Sequence, residues 1–369
     1  MLIMLLIIII CYICGNSYIN RRTLQTISWA SVKVRITVSL LFGVATLLPF
    51  IIFATHFLDI PNNIERILFR ICSLWMVFVM YMTLSLLITD CIRRFIVPMF
   101  KSGYICALLF SISLLIAGHY EYLHPKINRI DIATEKPIIG DTIKIVAVSD
   151  LHLGYGTGKE RLQEFVKIIN SENPDVILIA GDLIDNNIAP LYEERMYEEL
   201  NLLQAPLGIY MAPGNHEYIS GIEESRKFVR TTSIEILQDR IITLPNGIQL
   251  LMRDDASNKQ RLSIEELVSR ATGSGPTILV DHQPREISIK DSLGIDLQIS
   301  GHTHNGQVWP GNIIVDQLFE QSNGYRKWYH SHVYVSSGLS LWGPPIRIGT
   351  KGDIGVFNIY STNKDSIRK

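Results

Sequence analysis

The first 119 residues contain four apolar runs that carry almost no charge, and this feature limits the possible folds more than any other. The runs are Leu2–Cys14, Ile36–Leu58, Ile71–Ile88 and Tyr104–His119. A transmembrane helix needs about 20 apolar residues, which the second run exceeds and the third nearly reaches. The first run lacks the basic start and cleavage site of a secretory signal. We therefore predict a bundle of about four transmembrane helices over residues 1–119, with buried core helices as the alternative.

Basic residues near the ends of these runs predict the orientation of the chain in a cell membrane. The loops after the first and third runs carry seven of them, against two after the second run: Arg21, Arg22, Lys33, Arg35, Arg93, Arg94 and Lys101, against Arg66 and Arg70. Cytoplasmic loops are enriched in Lys and Arg, so the first and third loops are expected in the cytoplasm. The remainder of the chain is then expected on the outer face, periplasmic or extracellular.

Charge and cysteine content exclude several classes of protein. The chain has 34 basic and 35 acidic side chains, a formal net charge of −1, so no basic field favours nucleic acid as a partner. All five cysteines precede residue 119. The polar C-terminal part therefore contains neither a disulfide framework nor a thiolate metal site.

The C-terminal part has the pattern of an α/β domain. Residues 120–140 are interpreted as a linker, residues 141–361 as the domain and residues 362–369 as a tail. The stretch KERLQEFVKIINSEN places Leu162, Phe165, Val166 and Ile169 on one helical stripe. Several apolar strands each end in a short polar segment that holds Asp, Asn or His. Ligands of open α/β sheets bind beyond the carboxyl ends of strands, so these segments are expected at one edge.

The polar segments together contain more metal-ligand side chains than a single tetrahedral ion needs. They are Asp150 and His152 in SDLHLG, Asp182 and Asp185 in GDLID, Asn215 and His216 in GNHE, His282 in DHQP, and His302 and His304 in GHTH. Residues at i and i+2 of an extended segment face the same side, so the D-x-H and H-x-H pairs are each expected to enter one cavity. Oxygen and imidazole donors suit Mn, Fe or Zn, and two such ions sharing a carboxylate would use the whole set. A single histidine of this kind is more often a surface residue, but so many at strand ends are not expected by chance.

The order of these segments resembles the calcineurin-like metallophosphoesterase superfamily, whose pattern is D-x-H, G-D-x-x-D, G-N-H-[DE], H and G-H-x-H. The forms GHTHNGQ and VSSGLSLWGPPIRIG are similar to the membrane-associated branch, although Asn305 stands where many of those relatives have Gly. The resemblance implies a four-layer αββα sandwich with a dinuclear metal centre. It implies one metal on Asp150, His152 and His304, and another on Asn215, His282 and His302. Asp182 would bridge the two metals, His216 would be the general acid or the group that stabilises the transition state, and Asp185 would orient it.

These observations predict a membrane-anchored phosphohydrolase that cleaves phosphoester or pyrophosphate bonds with metal-activated water. Its expected cofactors are two divalent ions, and its expected substrate is a phosphorylated small molecule or a lipid-linked phosphate. Four spans exceed what a tether needs, which favours the lipid-linked substrate. The alternative function is a membrane sensor or carrier with a non-catalytic phosphate-binding module.

Further residues have two readings each from the sequence. Glu217 and Tyr218 follow the GNH segment and suit either a pocket wall or a turn. Arg347 suits either a phosphate contact or an exposed or paired side chain, and residues 253–261 (RDDASNKQR) are interpreted as a solvated loop. Trp309 and Trp342 are expected on loops near the site, where they would contact the membrane interface or simply pack.

Overall fold

The computed structural model of the chain describes residues 2–55, 62–95 and 100–362. The last residues of the second apolar run, 56–58, and residues 363–369 of the expected tail lie outside these ranges. Two compact units are present, Met1–Tyr120 with Gly343–Pro345 and Glu121–Trp342 with Ile346–Lys369, and each is described by itself.

The N-terminal unit consists of long helices. They are α1 (Leu2–Thr26), α2 (Val32–Thr55), α3 (Asn62–Ile92) and α4 (Phe100–Leu123). Their shared core includes Ile19 of α1, Met82 and Leu86 of α3, and Ala107 of α4. Within the described residues, three segments are long and apolar enough to cross a membrane: Val32–Phe50, Ile64–Ile92 and Ser102–Leu123. The prediction of about four spans thus holds for three, because the second half of α1 is polar, with Asn16, Asn20, Arg21 and Arg22.

The C-terminal unit is built on two mixed six-stranded sheets. The strands are β1 (Lys126–Thr134), β2 (Thr142–Val148), β3 (Val176–Ala180), β4 (Ile209–Ala212), β5 (Ile234–Ile236), β6 (Arg240–Thr243), β7 (Gln249–Met252), β8 (Thr277–Val280), β9 (Leu297–Ser300), β10 (Gly324–Lys327), β11 (His332–Val335) and β12 (Asp353–Ser361). The first sheet has the order β1-β12-β2-β3-β4-β5 and the second β10-β11-β9-β8-β7-β6. Strands β2, β3 and β4 run parallel, as do β7, β8, β9 and β11.

The helices of this unit are short. They are α5 (Lys159–Ser171), α6 (Ala189–Glu193), α7 (Met196–Leu200), α8 (Asn215–Ile219), α9 (Ile222–Val229), α10 (Ile264–Ser269), α11 (Ile287–Ser292) and α12 (Gly311–Leu318). The stripe predicted on α5 is buried, as the periodicity required.

Three apolar cores hold the unit together. Phe165 of α5 and Phe228 of α9 pack on one face of the first sheet with Ile177 of β3. Residues of both sheets, among them Leu178 of β3 and Leu250 of β7, form the core between the sheets. On the other side of the second sheet, α10 packs on β7 and β8. Burial on both faces explains why β3, with the sequence VILIA, is apolar throughout.

The segment interpreted as a linker, residues 120–140, contains strand β1, so that interpretation is wrong for Lys126–Thr134. β1 is an edge strand that pairs in parallel with β12, from Lys126 opposite Asp353 to Thr134 opposite Ser361. Most of its residues are exposed or half-buried. A lone edge strand of this kind carries a weak hydrophobic alternation, and its partner is more than 200 residues away in sequence.

Candidate metal centre

All nine side chains selected from the sequence follow the carboxyl ends of parallel strands. Asp150 and His152 follow β2, Asp182 and Asp185 follow β3, Asn215 and His216 follow β4, His282 follows β8, and His302 and His304 follow β9. Parallel strands of one sheet end at the same edge, so the topology gathers residues that are 154 positions apart. Seven of the nine form three groups of ligand atoms linked by His152 and Asp182, and the other two, Asn215 and Asp185, contact these groups.

The first group consists of Asp150, His152 and His304. Nε2 of His152 lies 3.1 Å from Nε2 of His304. Oδ1 of Asp150 lies 3.4 Å from Nε2 of His304 and 3.8 Å from Nε2 of His152. One ligand atom from each residue thus lies within 4.8 Å of the other two.

The second group consists of Asp182, His282 and His302, and Asn215 contacts it. Oδ1 of Asn215 lies 2.9 Å from Nδ1 of His302 and 3.1 Å from Nε2 of His282. Nε2 of His282 is also 3.1 Å from Oδ2 of Asp182. Asp182 lies between the two groups, because the same Oδ2 atom is 3.8 Å from Nε2 of His152.

A third group overlaps the first two and contains His216 with His152 and Asp182. The ring of His216 meets that of His152 edge-on, with centroids 4.5 Å apart. Oδ1 of Asp185 lies 3.4 Å from Nδ1 of both imidazoles, so one carboxylate oxygen faces both rings. Both carboxylates are buried, Asp182 at 2% exposed and Asp185 at 6%.

The backbone around these ligands is left-handed rather than extended, which corrects the expectation from the i and i+2 spacing. φ is 55° at Asp150, 45° at His152, 73° at His302 and 49° at His304. Residues other than Gly rarely adopt this conformation, and it concentrates at functional sites, where the surrounding structure must maintain it. Each pair therefore converges through a tight turn beyond its strand.

Close approach requires the glycines before two of the ligand segments, Gly214 and Gly301. A Cβ on Gly301 would clash with Oγ of Ser149 and Oδ2 of Asp150, and one on Gly214 would clash with Oδ1 of Asp182. Any side chain at either position would therefore displace the side chain of a ligand or of its neighbour.

The hydrogen bonds of His282 test whether the second group fits a metal ion. Its Nδ1–H donates to the carbonyl oxygen of Ala180 at 2.7 Å, which leaves Nε2 directed at two oxygen atoms, on Asp182 and Asn215. A neutral imidazole with this tautomer presents a lone pair to those oxygens. A cation among the three atoms removes the repulsion, and second-shell donation to a backbone carbonyl is typical of histidine ligands.

The first group passes a similar test. With metal–nitrogen bonds of about 2.1 Å, neighbouring ligand atoms lie about 3.0–3.4 Å apart. Nε2 of His152 and Nε2 of His304 are 3.1 Å apart, and Nδ1 of each ring is buried without a hydrogen-bond partner. Both groups therefore fit divalent cations with nitrogen and oxygen ligands.

The titration of the histidines reflects a balance between burial and carboxylates. Burial lowers the pKa of His302 to about 4 and that of His304 to about 3. Burial acts in the same direction on His152, but Asp150 and Asp185 outweigh it and raise its pKa to about 10. Carboxylates likewise raise the pKa of His282 against burial. Two rings are thus held neutral, and the other two lie where the field favours a positive charge.

Burial by itself raises the pKa values of Asp150 and Asp182, but the imidazoles around them lower both well below the usual range. Both carboxyl groups are therefore ionised, as metal ligands must be.

Sequence reasoning left the role of Glu217 open, and the structure assigns it to the turn. Its buried carboxylate accepts hydrogen bonds from the backbone N–H groups of Asp182 (2.9 Å), Gly214 (2.7 Å) and Ile184 (3.0 Å). It thereby joins the loop after β3 to the loop after β4. The acidic fourth position of GNHE was the available sequence signal.

Arg347 is fully buried and contacts backbone carbonyl oxygens rather than an open cleft. It donates to Ser337 (2.6 Å), Gly338 (2.9 Å), Ser340 (2.9 Å) and His304 (3.3 Å). Burial lowers its pKa to about 10. These contacts match neither interpretation of Arg347 from the sequence, which were a phosphate contact and an exposed or paired side chain.

The interpretation of residues 253–261 as a solvated loop is wrong at its start. Arg253 is 4% exposed, Asp254 1% and Asp255 0%. Arg253 donates to Asp281 at 3.1 Å, and both oxygens of Asp254 accept from the Tyr218 hydroxyl at 2.7 and 2.8 Å. Arg253 is thus paired with a carboxylate and Asp254 is hydrogen-bonded by a hydroxyl, in both cases from partners distant in sequence that composition alone does not reveal.

Comparison with known proteins agrees with the geometry. The family model of the calcineurin-like phosphoesterase matches residues 143–306. An uncharacterised metallophosphoesterase of Helicobacter pylori is 34% identical over 254 residues, 67% of each chain. Another from Aquifex aeolicus is 31% identical over 66% of this chain and 94% of its own length.

A third relative is named for both a transmembrane part and a metallophosphoesterase domain. It is a transmembrane protein with metallophosphoesterase domain from Danio rerio, 32% identical over 62% of this chain and 56% of its own. With the ligand groups described above, these matches show that the chain belongs to the calcineurin-like metallophosphoesterase family and is a metal-dependent phosphoester hydrolase.

Proposed function

We propose that the protein is a membrane-anchored phosphohydrolase with a dinuclear metal centre in a four-layer αββα domain spanning residues 141–361. It cleaves phosphoester or pyrophosphate bonds with water as the nucleophile and without a covalent enzyme intermediate. The observation that carries this proposal is the position of Asp182: its Oδ2 lies 3.1 Å from Nε2 of His282 in the second ligand group and 3.8 Å from Nε2 of His152 in the first, beside the ring of His216.

The ligand assignment follows the two groups. Asp150, His152 and His304 would hold one ion, Asn215, His282 and His302 would hold the other, and Asp182 would be shared by both. Two divalent cations, Mn, Fe or Zn, would supply positive charge for the phosphoryl oxygens and lower the pKa of the attacking water. The chain itself contributes two carboxylates to the ligand set, so its ligands do not cancel the charge of two such ions.

His216 is proposed to protonate the leaving oxygen. Its Nδ1 lies 3.4 Å from Oδ1 of Asp185, and Asp185 is proposed to orient the ring so that Nε2 faces the substrate. The backbone N–H of His216 donates to Oδ1 of Asp182 at 2.8 Å, which holds the ring beside the bridging carboxylate. General acid catalysis of this kind contributes about 10²–10⁴ in rate.

A lipid-linked substrate is supported by exposed apolar side chains that follow the GHTH segment. Trp309 is 47% exposed, Ile313 48%, Ile314 59% and Leu318 71%. α12 carries the three aliphatic residues, and the residue after it, Phe319, places its ring 6.1 Å from that of His302. An amphipathic helix with a flanking Trp is typical of elements that lie in the membrane interface. Since α4 ends at Leu123 and β1 begins at Lys126, the chain connects a candidate span to this domain through two residues.

The catalytic domain is proposed on the outer face of the membrane. The support is the excess of basic residues in the first and third loops. Arg22 of α1 forms an ion pair with Asp90 of α3 at 2.8 Å, which agrees with the first and third loops sharing one side. A reporter enzyme fused to the C-terminus tests this side: activity of a cytoplasm-specific reporter would contradict it.

The proposed reaction is tested on the full-length protein in detergent. Metal analysis should find about two divalent ions per chain, and chelation should abolish hydrolysis that the same metals restore. The substrate panel contains p-nitrophenyl phosphate, bis(p-nitrophenyl) phosphate, a nucleoside diphosphate sugar and phosphatidic acid. Metal-loaded protein that leaves all four unchanged would contradict the proposal.

The lipid substrate is tested separately with Ile314→Ser/Leu318→Ser. Loss of two inserted side chains should raise KM for a phospholipid in vesicles by about tenfold or more, with KM for p-nitrophenyl phosphate unchanged. The matched control is Leu202→Ser/Ile139→Ser, since these exposed residues precede β4 and β2, at the strand ends opposite those that the ligand segments follow. Equal effects of the two double variants would contradict the role of α12.

A further inference from the structure

A second polar cavity lies between the open edges of the two sheets, and we name it the edge groove. It has a volume of about 580 Å³, and its lining includes the starts of β1, β10 and β12 with Asn305, Asn323 and Lys351. Binding sites for small ligands have volumes of about 300–1,000 Å³, so the groove can hold a sugar- or nucleotide-sized group.

The strand register places the groove at the same sheet edge as the metal centre. Lys126 pairs with Asp353, and β12 runs antiparallel to β2, so the start of β1 lies at the end of β2 that precedes Asp150. Gly324 of β10 pairs with Val335, and Val335 pairs with Ser300 at the end of β9, just before the GHTH segment. Both sheets therefore present the groove beside the metal-ligand loops.

Two peptide segments separate the groove from the metal centre. Asn305, which lines the groove, directly follows His304. Ser337 lines another wall of the groove and directly precedes Gly338. A Cβ placed on Gly338 would lie 3.1 Å from Nδ1 of His304 and 2.9 Å from Cβ of Asp150. A substrate whose phosphate lies at the metals can therefore extend into the groove past His304.

The charge of the lining favours an anion. Lys126, Arg129 and Lys351 contribute three positive charges, and Asp353 is the only carboxyl group among the described lining residues. Asp353 is 5% exposed and is already engaged, because it accepts hydrogen bonds from the Ser336 hydroxyl and the Ser337 N–H. Arg129 pairs with Glu172 at 2.5 Å and Lys351 with Glu121 at 2.9 Å, so Lys126 is the lining cation on which the binding of an anion mainly depends.

Amide groups supply the hydrogen-bonding capacity of the groove. Nδ2 of Asn323 donates to Oδ1 of Asn305 at 3.0 Å, and Asn128 contributes a third amide to the lining. The backbone of Asn305 is left-handed, with φ 50°, a conformation that Gly adopts without strain and that Asn tolerates better than most other residues. In this chain the position adds an amide side chain to the groove.

We infer that the edge groove binds a second anionic group of the substrate, on a sugar or nucleoside phosphate that extends from the scissile phosphate. This inference rests on the proposed function, because it assigns the groove to the same substrate. It predicts that the enzyme distinguishes substrates with identical scissile bonds according to the presence of a distal phosphate.

Turnover is compared on two substrates that differ only in that distal group: thymidine 5′-(p-nitrophenyl phosphate) and its 3′-phosphorylated form. Wild type should prefer the 3′-phosphorylated form by about tenfold in kcat/KM, as for one charge-assisted contact. Lys126→Gln and Asn305→Gly should each reduce this ratio toward one. Gly is chosen at residue 305 because it adopts the left-handed backbone there without strain. The control Lys327→Gln makes the same charge change at the far end of β10 and should retain the wild-type ratio. A ratio unaffected by both groove variants overturns the inference.

Binding without turnover separates this inference from the proposed reaction. Calorimetry in the presence of a chelator compares thymidine 3′,5′-bisphosphate with thymidine 5′-monophosphate on the full-length protein in detergent. Wild type should bind the bisphosphate more tightly, and Lys126→Gln should remove the difference. If Lys126→Gln removes this difference in affinity while the wild type hydrolyses no substrate, the groove assignment stands and the proposed reaction fails. Equal affinities of wild type for the two ligands overturn the inference.

Discussion

The backbone N–H of His216 donates a hydrogen bond to the side chain of Asp182, with 2.8 Å between nitrogen and Oδ1. The other oxygen of that carboxylate is 3.1 Å from His282 and 3.8 Å from His152. One carboxylate therefore connects the two ligand groups and also positions the imidazole proposed as the acid. The position of His216, the proposed acid, therefore depends on the same carboxylate that connects the two ligand groups.

Replacing His216 with Ala should reduce kcat by about 10²–10⁴, the usual contribution of a general acid, while both metals stay bound. A phosphate-binding module without turnover would not respond to this change. Kinetics on an activated ester and metal content of the same sample are the measurements. The control His330→Ala removes an exposed histidine that belongs to none of the three ligand groups and should leave both unchanged. If H216A loses metal together with turnover, His216 is a ligand rather than the acid.

The close approach of Gly301 predicts a sharp steric effect. In Gly301→Ala the new Cβ would clash with Oγ of Ser149 and Oδ2 of Asp150, so both side chains must move and the first ligand group is expected to open. We expect loss of about one metal per chain by metal analysis, with circular dichroism unchanged. Gly294→Ala is the control, since its Cβ position is open and only its left-handed φ of 76° is unfavourable. Retention of two metals by Gly301→Ala would show that the loop relaxes instead.

Local pattern was sufficient for the elements that position the site. The stripe on α5 is buried, and each selected side chain lies beyond a strand, because both depend on short-range periodicity. The convergence of donors was predicted for the wrong reason, since His302 and His304 adopt left-handed rather than extended backbone. Sequence periodicity predicts which side chains face the same side of a regular strand. His302 and His304 lie beyond the end of β9, where that rule does not apply.

Pairings between distant segments could not be predicted from local pattern. β1 was assigned to a linker because its partner, β12, closes the sheet from the other end of the domain. Arg347 and Asp254 are polar residues whose burial depends on partners elsewhere in the chain. A single sequence gives the charge of such residues but not the groups that compensate it.

Glu217 joins two ligand loops through three backbone hydrogen bonds, and Glu217→Gln tests that role. An amide has one acceptor oxygen and brings N–H groups against backbone donors, so buried N–H groups lose their acceptor. We expect a loss of about 2 kcal/mol in the free energy of unfolding, seen as a lower thermal midpoint, and weaker metal binding. The control Glu223→Gln changes an exposed carboxylate in α9 whose partner is Arg226. A stability loss with unchanged metal affinity would restrict Glu217 to a structural role.

Arg347 connects the GHTH loop to residues 337–340 through hydrogen bonds to backbone carbonyl oxygens. The same residues contact the segment after β2, because the N–H groups of Leu339 and Ser340 donate to the carbonyl oxygens of Ser149 and Asp150 at 2.9 and 3.0 Å. The three segments carry Asp150 and His304, both of the first ligand group. Arg347→Lys keeps the charge but replaces a planar fork of donors with a single ammonium group. It should weaken metal binding at that group about tenfold, through the loss of about one or two hydrogen bonds.

Metal titration with thermal unfolding measures the effect of Arg347→Lys, and the control Arg270→Lys makes the same change at an exposed position after α10. Arg347 is a positioning residue in this account, because its guanidinium reaches carbonyl oxygens and not the cleft. The expected signature is therefore a higher metal concentration for half-maximal activity, with kcat recovered at saturating metal. A kcat that stays low when both metals are bound would instead mean that Arg347 acts on the substrate phosphate.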